Sequence, residues 1–277
     1  MNRPARHSTC ASLASLLVIL GVGGCRQQET LVLPTATPAQ AAPTRQITLT
    51  PGDDPWVYFD QGNTYHNRGD HAAAVSAFTR AIELDPQNAT FYFNRALAYQ
   101  GQGDPQAAIA DYTRAADLDP AFVDAYFNRG NVYLRLGDLE AAIADYDQAI
   151  AVDPAHVYAY LGRGLAHHKA GDYQAAIAEY NLAIDVDPEF ANAYYDRGVA
   201  YQAQGDLDTA LADYTRAIEL DKTFFSAHLN RALIYDELGD EQAARADYVR
   251  FVEIYPGDDQ FSDHARQRIQ EIPAAAP

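Results

Sequence analysis

Two cysteines occur in 277 residues, Cys10 and Cys25, and none follows them. A body without thiols forms no disulfide, so its stability must come from packing. Basic residues are scarce as well: 20 Lys and Arg stand against 38 Asp and Glu, a formal net charge of -18. Residues 1–54 do not share in that charge, because Arg3, Arg6, Arg26 and Arg45 outweigh Glu29, Asp53 and Asp54. So acidic a body repels phosphate, which argues against nucleic acid as a partner; the excess charge reads as a well-solvated surface. A Gly-rich phosphate loop, a nucleophile elbow and a zinc signature are all missing. His167-His168 is the one suggestive pair, but adjacent helical residues point about 100° apart. His167 also stands where other copies of a repeat, described below, carry Tyr65, Tyr99 or Tyr133, so it reads as a packing substitute. No catalytic residue, metal or cofactor is expected, nor a small-molecule substrate.

At the N-terminus, Arg3, Arg6 and His7 precede the apolar run ASLASLLVILGVG. That run falls short of the ~20 apolar residues that span a bilayer, and it has the layout of a processing segment. It ends in Val22-Gly23-Gly24-Cys25, which resembles a bacterial lipobox. The resemblance implies cleavage before Cys25 and a diacylglyceryl group on its thiol, placing the protein on the extracytoplasmic side of a bacterial envelope membrane. An ordinary secretory signal or an uncleaved anchor is the alternative. Residues 1–24 are then the signal peptide. Residues 25–54 are the lipidated cysteine and a tether rich in Pro, Thr and Ala (LPTATPAQAAPT). A flexible coil of that length spans about 30 Å.

The rest of the chain repeats. Residues 94–120, NRALAYQGQGDPQAAIADYTRAADLDP, return 34 places later as NRGNVYLRLGDLEAAIADYDQAIAVDP. Gly-Asp recurs at 69–70, 103–104, 137–138, 171–172, 205–206 and 239–240. Gly ends one helix in a left-handed turn and Asp caps the next. Pro86, Pro120, Pro154, Pro188 and Pro256 close five of the units, while the fifth unit has Lys222 at that place and relies on Asp221. Large and small residues alternate at helical spacing, as in Tyr92, Ala96 and Tyr99, or Ala108, Tyr112 and Ala115. No unit buries such a face alone, so neighbours must stack.

This pattern resembles the tetratricopeptide repeat, in six copies at residues 55–88, 89–122, 123–156, 157–190, 191–224 and 225–258. The resemblance implies an all-α fold: a right-handed α-solenoid of six helix-turn-helix units, with a C-terminal capping helix and tail over residues 259–277. Phe261, Ala265 and Ile269 share the inner face of that last helix.

Five units depart from the family in the same way. Arg95, Arg129, Arg163, Arg197 and Arg231 stand where it carries an aliphatic residue, and Asp111, Asp145, Glu179, Asp213 and Asp247 precede the second-helix aromatic. The first unit has neither, showing Gln61 and Ala77. Joint occurrence predicts a structural ion pair inside each unit, Arg95 with Asp111 and so on; an arginine ladder for a partner is the competing idea.

In the family, first helices line a groove. The positions that would face it carry Phe59, Phe93, Phe127, Leu161, Tyr195 and Leu229, beside Asp60, Asn94, Asn128, Gly162, Asp196 and Asn230, with Asn131 a turn further on. Asn94 and Asn128 resemble an asparagine ladder that holds a peptide main chain, since an amide both donates and accepts. The ladder breaks at Gly162 and turns acidic at Asp196. Packing between repeats is the alternative for the aromatic row. Phe93, Phe127 and Tyr195 stand where a carboxylate-clamping lysine would be, and groove bases are few, mainly Arg135 and Lys169. The expected partner is therefore a basic or neutral extended segment, or a helix, of another protein. Self-association through the groove is the alternative, and an enzyme or cofactor-carrying subunit a weaker one.

Overall fold

The computed structural model describes residues 54–255 and 257–274. The segment expected to be a signal peptide, Cys25, the expected tether up to Asp53 and the closing Pro256 lie outside the described residues. Thirteen helices and no strand occur among those described. They are α1 (Pro55–Asn67), α2 (His71–Leu84), α3 (Ala89–Gln102), α4 (Pro105–Leu118), α5 (Val123–Leu136), α6 (Leu139–Val152), α7 (Val157–Lys169), α8 (Tyr173–Val186), α9 (Ala191–Gln204), α10 (Leu207–Leu220), α11 (Phe225–Leu238), α12 (Glu241–Ile254) and α13 (Gln260–Glu271).

Sequence chemistry sets each boundary. Gly137 sits at φ +82°, a region other residues enter at a steric cost, and the following Asp138 N–H reaches back to the Tyr133 carbonyl at 3.0 Å. The Asp138 carboxylate then accepts from the Ala141 N–H at 3.1 Å, capping α6. Every Gly-Asp pair repeats the positive φ and the aspartate cap. Between units, Asp85, Asp119, Asp153, Asp187 and Asp221 accept from the N–H two residues on. Asp221 keeps this turn without proline, helped by the Thr223 hydroxyl at 2.6 Å.

The helices form two compact units that divide between Ala166 and His167. In the N-terminal unit α1 pairs with α2, α3 with α4 and α5 with α6, and each pair packs on the next. In the C-terminal unit α9 pairs with α10 and α11 with α12; α8 lies on α9, α10 on α11, and α13 covers α12. Cores are built from alanines and one large ring per second helix: Phe78, Tyr112 and Tyr146 in the first unit, Tyr180, Tyr214 and Tyr248 in the second, all buried. Small residues make room for them. A Cβ on Gly130 would meet the Tyr146 ring at 3.0 Å, and one on Gly162 would meet it at 2.6 Å. Gly162 interrupts the asparagine column because the preceding unit's tyrosine fills that space.

The arginines lie along the inside of this packing. Arg95, Arg129, Arg197 and Arg231 make two parallel N–H donations to Asp111, Asp145, Asp213 and Asp247, with closest approaches of 2.6–2.7 Å. The carboxylates are at most 9% exposed. Each arginine has a further partner that sequence reading missed, on the second helix of the preceding repeat. Arg95 donates to Thr79 at 3.0 Å, Arg129 to Thr113 at 2.8 Å, Arg197 to Asn181 at 2.5 Å and Arg231 to Thr215 at 2.9 Å. Arg163 engages Asp147 at the same place; its expected mate Glu179 belongs to the other compact unit. Tyrosines three residues before four of the five complete the setting, their rings under Arg95, Arg129, Arg163 and Arg197 at 5.4–5.8 Å from the centroid. In the fifth, His228 replaces the tyrosine and turns Nδ1 to Asp247 at 2.9 Å. Asp247 is held below the usual carboxylate range: burial opposes this, and bonds from Arg231 and His228 outweigh it.

Candidate functional site

The aromatic row is a packing row. The Phe93 ring lies 4.8 Å from Phe122 and 5.6 Å from Tyr112; Phe127 lies 4.9 Å from His156 and 6.1 Å from Tyr146. Phe59 is enclosed by Trp56, Phe78 and Phe91 at 5.3–5.7 Å. The covering residues Phe122, His156 and Phe224 each stand at the last position of a repeat, 34 and 68 residues apart, a signal present in the sequence and overlooked. Phe59, Phe93, Phe127 and Leu161 remain half-buried.

The polar row behaves differently in the two compact units. In the N-terminal unit, Asn94 on α3 and Asn128 on α5 are half-buried. Each amide donates to the carbonyl four residues back, Asn94 to Thr90 and Asn128 to Asp124, both at 2.8 Å. That bond fixes the rotamer and leaves the Oδ1 carbonyl and one N–H of each uncommitted. Asn131 accepts from the buried Tyr146 hydroxyl at 2.8 Å, keeping its own N–H groups. Arg135 follows on the same face of α5, exposed and without an ion-pair partner among the described residues. Burial pushes the Tyr112 and Tyr146 phenols up, and the nearby Arg135 charge works against that rise. Spacings of four, three and four residues from Asp124 through Asn128 and Asn131 to Arg135 make one polar stripe.

In the C-terminal unit four expected groove residues, Tyr195, Asp196, Leu229 and Asn230, are core. Tyr195 and Asn230 are each 1% exposed, and Leu229 in the same row is as deep. Tyr195 packs under Phe224 at 4.9 Å. Asn230 donates to the Tyr195 and Tyr214 hydroxyls at 3.2 and 3.4 Å. These side chains offer no surface to a partner; the Asn230 amide N–H is spent on the two hydroxyls, while its Oδ1 is buried without a hydrogen-bond partner among the described residues. Asp196 is buried beside them, and desolvation pushes its carboxyl up to about 7.

His168 meets Tyr173 edge to face at 5.0 Å, and burial lowers its pKa. Among the described residues no three His, Cys, Asp or Glu side chains converge as metal ligands, and no helix is long and apolar enough to cross a membrane.

Helix pairs of this kind, repeated with a capped Gly-Asp turn, define a repeat scaffold. Tetratricopeptide repeat models match residues 62–103, 93–150, 127–193, 191–224 and 213–246, so residues 62–246 carry tetratricopeptide repeats. Among solved structures, the MamA protein is 28% identical over 62% of this chain and 94% of its own, with a TM-score of 0.56. YrrB, described as a tetratricopeptide repeat protein with an unusual peptide-binding site, is 24% identical over 70% of this chain and all of its own, with a TM-score of 0.53. PilF of Pseudomonas aeruginosa is 16% identical over 78% of this chain and 98% of its own, with a TM-score of 0.64. No curated protein matches the sequence. The fold is that of a protein–protein interaction scaffold.

Proposed function

We propose that this protein is a lipid-anchored scaffold of a bacterial envelope membrane, and that it holds an extended or helical segment of another protein against the first helices of its N-terminal unit. The observation that carries the reading is the pair Asn94 and Asn128. Each is oriented by its own helix, half-exposed, and left with one acceptor and one donor unused. Such amides read a main chain without regard to its side chains. Asn131 and Arg135 extend the donors along α5, and half-buried Phe93 and Phe127 supply apolar contact between them. The C-terminal unit serves as support, since its corresponding positions are filled. Anchoring rests on the run Val22-Gly23-Gly24-Cys25, and it is expected to leave the repeats on the extracytoplasmic side.

The test is crosslinking and capture from envelope membranes with the full chain and with Asn94→Ala/Asn128→Ala/Arg135→Ala. Circular dichroism checks that helicity is intact. Partners held by the first and lost by the second establish this surface; identical captures by both refute it. The anchor is tested separately: Cys25→Ser should move the protein from the membrane fraction to the soluble one, and unchanged fractionation would rule out the lipid.

A further inference from the structure

In every repeat after the first, one face of the first helix is fully buried. Phe91, Ala125 and Ala227 mark it at the third position of the unit, and Ala98, Val132 and Ile234 at the tenth, each 0% exposed. Where both partners lie in one compact unit, the cover is the second helix of the preceding repeat: α2 on α3, α4 on α5, α8 on α9 and α10 on α11. On α1 the same face is bare among the described residues. Val57, at the third position, is 51% exposed, and Thr64, at the tenth, is exposed as well. Around Thr64 lies an open depression of about 250 Å³, lined by Asp60, Gln61, Thr64, Tyr65 and Arg68. Neither Asp60 nor Arg68 has an ion-pair partner among the described residues.

We propose that a second copy of this chain occupies this face, α1 against α1, antiparallel about a two-fold axis through Thr64. The choice of partner rests on charge. Asp60 precedes Thr64 by four residues and Arg68 follows it by four, so an antiparallel pair sets each Asp60 opposite the second copy's Arg68. The face is thus neutral and self-complementary on a molecule of net charge -18, most of whose surface repels its own kind. The array's last helix makes a poor alternative mate. Arg266 of α13 is already paired with Asp258 and Asp263, and Arg268 with Asp236. A single helix face is smaller than the roughly 800 Å² per partner of a standard interface, so the dimer is a weak one that salt loosens further. This surface is distinct from the asparagine stripe.

Sedimentation velocity over a concentration series tests it, using the full chain in detergent. Wild type should pass from monomer to dimer. Asp60→Arg and Arg68→Asp each bring like charges together and should weaken dimerisation at least tenfold, with unchanged circular dichroism. An equimolar mixture of the two variants restores both opposite-charge pairs and should dimerise again. A wild type that stays monomeric throughout, as it would if its own N-terminal segment covered the face, overturns the proposal. So does association indifferent to either reversal, or a mixture that fails to recover.

Discussion

Asn128 and Asn230 occupy the same place in their repeats, three units apart. The first is half-exposed, its amide donating to its own helix; the second is 1% exposed, donates to two tyrosine hydroxyls and has its Oδ1 buried without a partner among the described residues. Asn94 and Asp196 make the same contrast, one half-exposed and the other buried, with a carboxyl pushed up to about 7 by desolvation. Repeat position therefore fixes where a side chain points. Whether that direction leads to solvent depends on what the neighbouring loops and helices place over it. The N-terminal unit keeps a surface, and the C-terminal unit has converted the same positions into core.

The largest effect should come from what the two units share. Asp145→Ala and Asp213→Ala each strand a half-buried arginine, and loss of one member of a buried pair costs about 3–5 kcal/mol. Urea denaturation should show similar losses for both; a difference beyond about 1 kcal/mol would mean that the units do not use the pair alike.

The second effect should separate them. Asp196 holds its carboxyl near 7 in the folded protein against an ordinary value of 3.8. The folded state therefore binds the extra proton, and the stability it brings is complete below about pH 4 and lost as pH rises through 7. Full expression of the shift is on the order of 4 kcal/mol. Asp196→Asn should gain melting temperature over wild type at pH 8 and lose that advantage at pH 4, while Asn128→Asp in the open unit should show little of this dependence. Parallel pH profiles for wild type and Asp196→Asn would contradict the buried carboxyl.

A smaller effect tests the break in the asparagine column. Gly162→Asn would restore the ladder on paper, yet its Cβ meets Tyr146 at 2.6 Å, and overpacking costs about 1–3 kcal/mol. Thermal melts should show that loss; a variant as stable as wild type would mean the tyrosine moves aside freely. Smallest of all, Asn94→Ala and Asn128→Ala should each change stability by less than about 1 kcal/mol. A larger loss would make these asparagines structural, like Asn230.

Much of the fold is local, and local chemistry is legible in sequence. Gly-Asp pairs, loop aspartates and alternating small and large residues each act within a few positions, so a 34-residue period displays them. The joint recurrence of arginine and acid is visible for the same reason. The third member of that contact is harder to see. Thr79, Thr113, Asp147, Asn181 and Thr215 share a position but not a residue type, and they belong to the preceding unit. Exposure was the least legible quantity. Tyr195 and Asn230 look like groove residues by register, and only Phe224, Tyr214 and the helices around them reveal that the groove is filled there. The division between solvent and core is a property of several repeats at once, which one column of letters does not carry.

The arginine contacts have a consequence for how the array comes apart. The guanidinium groups of Arg95, Arg129, Arg197 and Arg231 each grip the second helix of their own repeat and the second helix of the one before, so no such repeat can melt without releasing a neighbour's hydrogen bond. In a linear array, stability divides into what each unit holds alone and what each junction adds. Here a charged fork is invested in the junctions. Within each compact unit, unfolding should therefore run as a single sharp transition rather than as a fraying from one end.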